Sequence, residues 1–155
     1  MLFESQEERD ERFMRIALEE AEEAARHGEI PIGAVIVHDG GLVARAHNLT
    51  ERLRDVTAHA EMQAITAAAE TLGGKYLTGC TLYVTVEPCP MCAGAIGWAQ
   101  IPRIVYGASD AKRGYSSLTP PTGAASPLHP KATVTSGVLA DECRALMQSF
   151  FRSRR

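Results

Sequence analysis

Thr81-Leu82-Tyr83-Val84-Thr85-Val86, followed at once by Glu87-Pro88-Cys89-Pro90-Met91-Cys92-Ala93-Gly94, is the stretch that decides the fold. Its first six residues are apolar, β-branched or aromatic with no breaker before Pro88, the pattern of a buried strand. Pro90 stands where the first turn of a helix tolerates proline. Two thiols therefore lie at a strand-to-helix junction. Three residues apart on a helix, Cys89 and Cys92 share a face, and the free N–H groups and positive dipole end of a helix start favour their thiolates. Such a pair can hold a metal or exchange disulfides, depending on what other ligands the chain supplies.

Outward from this junction, helical and strand patterns alternate. Residues 7–27 put Phe13, Ile16, Ala17, Ala21, Ala24 and Ala25 on one side of an amphipathic helix that Gly28 stops. Residues 32–38 and 42–47 read as two strands around Asp39-Gly40-Gly41, since Asp and Gly supply the positive φ of a hairpin turn. A polar connection over 48–56 leads to Thr57, the expected N-cap of an Ala-rich helix over 58–71 ended by Gly73-Gly74. After the central strand and its helix over 90–98 comes a short strand at 103–106. Residues 114–129 turn to Ser, Thr, Gly and Pro without apolar period and read as a long loop. A last strand is expected over 131–136 and a last helix over 138–152, with Leu139, Cys143, Leu146, Met147 and Phe150 inward. The alternation predicts an α/β fold with crossovers and a partly parallel sheet covered on both faces, made mixed by the hairpin.

The 155 residues suit a single domain over 1–155, enough to bury roughly 70% of the unfolded surface. A composition of 45% hydrophobic and 23% charged residues is that of an ordinary globular protein. No apolar run approaches the ~20 residues that span a bilayer, so no membrane partner is expected. The acidic N-terminus reads as neither signal nor transit peptide, which makes a cytoplasmic location the expectation. In that compartment the four cysteines point to a metal or catalytic set and not to a disulfide framework. The net charge of −3 is uneven: residues 1–23 hold nine acids against three arginines, leaving ten acids against thirteen bases in a mildly basic remainder. Phosphate binding depends on local clusters, so this count by itself decides nothing about RNA.

A third ligand stands in Thr57-Ala58-His59-Ala60-Glu61. A catalytic zinc takes three protein ligands and leaves a fourth position for water, and one His with two Cys supplies that number. Glu61, two residues on, is better placed to act on water than to bind the metal. The order H-x-E then P-C-x-x-C is the signature known from zinc-dependent nucleobase deaminases. Each half alone is weak: His-x-Glu is common in helices, and Cys-x-x-Cys after a strand also fits a thiol-disulfide oxidoreductase. A structural zinc would need a fourth ligand, and neither Cys80, Cys143 nor the remaining histidines have ligand-pair spacing. Together and in order, the two halves favour the deaminase.

From about Phe13 to Arg155 the chain resembles the bacterial tRNA-specific adenosine deaminases of the cytidine deaminase superfamily. The segments that carry the likeness are 29–35, 57–61, 82–95, Tyr106-Gly107-Ala108-Ser109-Asp110-Ala111-Lys112, and 137–152. The resemblance implies a three-layer α/β/α sandwich around a five-stranded mixed sheet, and a homodimer. It implies hydrolysis of adenosine to inosine at the wobble position of a tRNA anticodon, with one Zn2+ per chain on His59, Cys89 and Cys92 and Glu61 as the proton carrier. By the same likeness Asn48 hydrogen-bonds the base, the Ala60 backbone meets its edge, Ile32 packs on its face, and Asp110 and Lys112 lie near flanking nucleotides. The final helix, with Phe151, Arg152, Arg154 and Arg155, is expected against the anticodon stem-loop. The proline-rich 114–129 segment departs from the family pattern. A deaminase of a free base or nucleoside, such as guanine or cytosine, is the alternative within the superfamily.

Overall fold

The computed structural model describes residues 3–154; Met1, Leu2 and Arg155 lie outside the described residues. Five strands form one sheet in the order β2-β1-β3-β4-β5. The hairpin pair β1 (Gly33–His38) and β2 (Gly41–His47) is antiparallel, and β1 also runs antiparallel to β3 (Cys80–Val86). From there β4 (Arg103–Ala108) and β5 (Thr133–Thr135) continue in parallel. The hairpin turn has the expected left-handed residues, with φ of 49° at Asp39 and 74° at Gly40.

Alternate residues of each strand feed different helices, which makes three layers. Ala34, Ile36, Leu82, Val84, Ile104 and Tyr106 pack with α2 (Ala60–Leu72) and α3 (Pro90–Trp98). Val35, Val37, Tyr83 and Val105 pack on the other face with Phe13, Met14 and Ala17 of α1 (Gln6–Arg26), whose register the periodicity anticipated. The α1 layer sits close: a Cβ at Gly33 would collide with the Ala17 carbonyl. The same face carries α5 (Ala140–Ser153) through Cys143, the one fully buried member of its predicted stripe. Among the described residues, no helix is long and apolar enough to cross a membrane.

Element ends shift by one or two residues, with β4 at Arg103–Ala108, β5 at Thr133–Thr135 and α5 at Ala140–Ser153, and two differences from the sequence expectation are larger in meaning. The second helix begins at Ala60, with His59 and not Thr57 as N-cap. Asp55 Oδ1 accepts from both the Thr57 amide (2.8 Å) and its hydroxyl (2.7 Å), which removes Thr57 from capping. Within the 114–129 segment a short helix, α4 (Tyr115–Leu118), forms because Tyr115 is buried against the core and its amide donates to the Pro88 carbonyl at 2.8 Å.

Candidate active site

The site is built on two helix starts. His59 caps α2 at φ −73°, ψ 158°, and Cys89 caps α3 at φ −73°, ψ 168°; neither side chain bonds back to its own helix. Pro90 takes the first helical turn, where its missing N–H removes nothing. Freed from capping, the side chains meet each other. His59 Nδ1 stands 3.7 Å from Cys89 Sγ and 3.4 Å from Cys92 Sγ. Ligand atoms on a tetrahedral zinc, with Zn–N of ~2.0–2.1 Å and Zn–S of ~2.3 Å, are about 3.6 Å apart. The three donors therefore fit a metal ion, and among the described residues no other His, Cys, Asp or Glu joins them. That leaves a fourth position open, and a histidine against both sulfurs is an arrangement a bare redox pair does not need.

The three donors are electrostatically coupled and share protons that a bound metal ion would displace. The Cys89 thiol is pushed down to about 4, chiefly by the hydrogen bond from Cys92 and, against its burial, by His59. Cys92 is driven up, first by holding the proton it shares with Cys89 and then by burial. His59 is raised, with the Cys89 hydrogen bond as the leading cause. Glu61, 4% exposed in the first turn of α2, is raised to about 7, because burial outweighs its own amide and His59. A carboxyl titrating there can take and give a proton near neutrality.

Beside the donors opens a cavity of about 490 Å³ lined by Ile30, Ile32, Asn48, Val56, His59 and Ala60. Asn48 is 4% exposed, and its Oδ1 has no hydrogen-bond partner among the described residues. A buried carbonyl left unpaired costs about 1–3 kcal/mol, a deficit that a ligand donor would remove. Ile32 is half-buried at the wall and supplies an apolar face.

Residues 7–108 match the family model of the cytidine and deoxycytidylate deaminase zinc-binding region. The chain is 46% identical over 146 residues to the tRNA-specific adenosine deaminase of Bacillus subtilis, covering 94% of this chain and 91% of that one. The chain belongs to the tRNA-specific adenosine deaminases. It is 47% identical to the chloroplastic tRNA(adenine(34)) deaminase of Arabidopsis thaliana over 94% of its own length, spanning 12% of that longer protein. A solved structure from a study of A-to-I editing by tRNA:A34 deaminases at the wobble position of transfer RNA is 44% identical, with a TM-score of 0.79. That match covers 87% of this chain and 98% of the other. Family membership makes the protein a zinc-dependent hydrolytic deaminase with the cytidine deaminase fold.

In this deaminase the structure brings Ile32, Asn48, His59 and Ala60 to one cavity, with Cys89 and Cys92 against His59 and Glu61 buried one residue beyond Ala60 on α2. Asp110 and Lys112 stand apart from that cavity, on the segment after β4. Asp110 is half-buried and spends its Oδ1 on the amides of Lys112 (3.1 Å) and Arg113 (2.9 Å), a turn-forming use that the sequence reading missed. At the C-terminus Phe151 is exposed, whereas the Arg154 guanidinium lies over the Phe150 ring at 4.6 Å. Two buried glutamates also escaped the sequence reading. Glu29, 1% exposed, accepts from the amides of Glu51 (2.9 Å) and Arg52 (2.8 Å) and so holds the cavity-wall loop. Glu87, 5% exposed, does the same for the segment after β4. Their partners are backbone amides and, for Glu87, the Ser116 hydroxyl, all more than twenty residues away, so no local pattern announces them.

Proposed function

We propose that this chain, as one deaminase domain over 1–155, hydrolyses adenosine to inosine and ammonia at the wobble position of a tRNA anticodon. The observation that carries the reading is the meeting of His59 Nδ1 with both sulfurs at metal-ligand spacing, beside a cavity whose wall holds the unpaired Asn48 carbonyl. His59, Cys89 and Cys92 hold the zinc, which when bound supplies the Lewis acidity that makes water a nucleophile at neutral pH. Glu61 takes a proton from water, passes it to the ring nitrogen adjacent to C6 as oxygen adds to C6, and assists the departure of ammonia. Asn48 hydrogen-bonds the base, Ile32 packs on its face and the Ala60 backbone meets its edge. The purine must leave its stack to reach this cavity, which is inexpensive in a single-stranded anticodon loop.

Asp110 and Lys112 lie beside the flanking nucleotides, Asp110 through the turn it organises. Phe151 and Arg152 offer a stacking surface and a phosphate contact to the stem-loop, where one stacked base is worth about 1–3 kcal/mol. The enzyme works as a homodimer in the cytoplasm. An anticodon stem-loop carrying adenosine at the wobble position tests the assignment: inosine is expected in the presence of zinc. Turnover of free guanine or cytosine with no inosine in RNA would make the protein a free-base deaminase. Purified protein without zinc that exchanges disulfides through Cys89 and Cys92 would overturn both deaminase readings.

A further inference from the structure

The Glu87 carboxylate has no part in the chemistry above, yet it is buried two residues from a metal ligand. Among the described residues no cation pairs with it; its hydrogen bonds all go to the segment after β4. Its Oε1 accepts from the Asp110 amide at 3.1 Å, and its Oε2 accepts from the Ser116 amide at 3.0 Å and the Ser116 hydroxyl at 2.6 Å. The backbone closes the same junction: the Glu87 amide donates to the Ala108 carbonyl and the Tyr115 amide to the Pro88 carbonyl, both at 2.8 Å. Gly114 is shaped around the carboxylate, since a Cβ there would collide with Glu87 Cδ. A buried carboxylate without a cation is a poor source of stability. What three charge-assisted bonds onto one loop supply is geometry.

The segment so held carries Lys112 and Arg113, both exposed, and among the described residues neither forms an ion pair. Asp110 binds their two amides, and the Gly114 amide donates to the Asp110 carbonyl at 2.9 Å, so the turn that presents them is rigid within itself. The link from this turn to the zinc ligands runs through Glu87 and Pro88. An RNA substrate is positioned by cations on its phosphates, and their distance from the reacting base must be set. We propose that Glu87 is a positioning residue that fixes Lys112 and Arg113, as a phosphate-binding pair, at a set place relative to the metal centre. The proposal rests on the RNA deaminase reading.

Zinc-loaded wild type, Glu87→Gln, Ser116→Ala and the Lys112→Ala/Arg113→Ala pair are compared for zinc content and for kcat and KM on the anticodon stem-loop across a salt series. Gln keeps the shape but has one oxygen where two are needed, so in either orientation its NH2 faces a donor, at Ser116 or at the Asp110 amide. Glu87→Gln is expected to keep one zinc per chain, to hold kcat within about threefold, and to raise KM about tenfold as the two cations loosen from their phosphates. The slope of log KM against log salt should become shallower by about 0.7 for each phosphate no longer neutralised, as in the Lys112→Ala/Arg113→Ala pair. Adding Glu87→Gln to that pair should change KM no further. Ser116→Ala should move KM and slope the same way by about half as much on a logarithmic scale, and it decides the matter alone if Glu87→Gln does not fold. An unchanged salt slope, a loss confined to kcat, or full additivity with the cation pair would overturn the proposal. Active wild type with unaffected variants overturns only the role of Glu87, whereas wild type that makes no inosine removes the deaminase reading and this proposal together.

Discussion

Three helix starts in this molecule have almost the same backbone and opposite uses. Ser5, before α1, sits at φ −72°, ψ 165°, within about ten degrees of His59 and Cys89. Ser5 accepts from the Glu8 amide at 3.1 Å while Glu8 reaches back to the Ser5 amide at 3.2 Å, a complete capping box. His59 and Cys89 make no such bond. Their side chains leave the helix end and converge on one point, so two helices forgo capping to assemble a metal site. Local stability and chemistry compete for the same side chain, and the competition is decided helix by helix.

The largest effect expected comes from reversing that choice. His59→Ser puts a good N-cap into a backbone already shaped for one, so the metal-free protein should gain about 1 kcal/mol in urea unfolding. The same variant should bind no zinc and form no inosine above background; a variant that kept both would separate the ligand set from the helix start. Next in size, Glu61→Gln should retain a full equivalent of zinc by elemental analysis while kcat falls by about 10²–10⁴-fold, the range for loss of a positioned proton carrier.

The α1 face should respond in stability alone. Asp10 is buried and accepts from Tyr83 Oη (2.8 Å), Gln6 (2.9 Å) and both terminal nitrogens of Arg103 (2.8 and 2.7 Å), tying α1 to β3 and β4. Asp10→Asn should cost about 2–3 kcal/mol with zinc content unchanged. Burial opposes ionisation of Asp10, but its bonds from Arg103, Tyr83 and Gln6 outweigh burial and hold its carboxyl below the ordinary value. A carboxyl lowered on folding contributes stability that is complete above its unfolded pKa of about 3.9 and is lost as pH falls through the lower folded value. Thermal unfolding of the wild type should therefore weaken in that acid window, and Asp10→Asn should flatten this part of the pH curve. The smallest effect belongs to the capping box: Ser5→Ala should lower stability by about 1 kcal/mol and leave zinc and kcat at wild-type values. A change in kcat there would break the division between the two kinds of helix start.

The places where sequence reading and structure part company follow the same physics. The central strand, the hairpin turn and the helix after Pro90 were legible because β-branched runs, Asp-Gly and a first-turn proline act locally. The start of α2 was not, because Thr57 is a better cap in general and only the nearby Asp55 takes it out of use. The burial of Tyr115 in a proline-rich segment was hidden because it depends on partners brought by the fold, whereas the bonds from the Lys112 and Arg113 amides to Asp110 are local. The predicted stripe on α5 is an intermediate case, with its phase right and its burial complete only at Cys143.

What the sequence by itself determined is the chemistry of the donors: a histidine with a glutamate two residues on, and two thiols three residues apart behind a proline, are fixed by covalent spacing. It also determined most of the runs that become strands and helices, α4 excepted, since hydrophobic period and turn residues are local properties. Only the tertiary structure decided that His59 Nδ1 meets two sulfurs thirty or more residues away, that Asn48 keeps a buried carbonyl unpaired in the cavity His59 lines, and that Glu87 holds the segment after β4. Those relations join residues distant in the chain through a sheet whose order, β2-β1-β3-β4-β5, brings the ends of β3 and β4 side by side. No pairwise spacing encodes them, because they arise from packing two helix layers on that sheet.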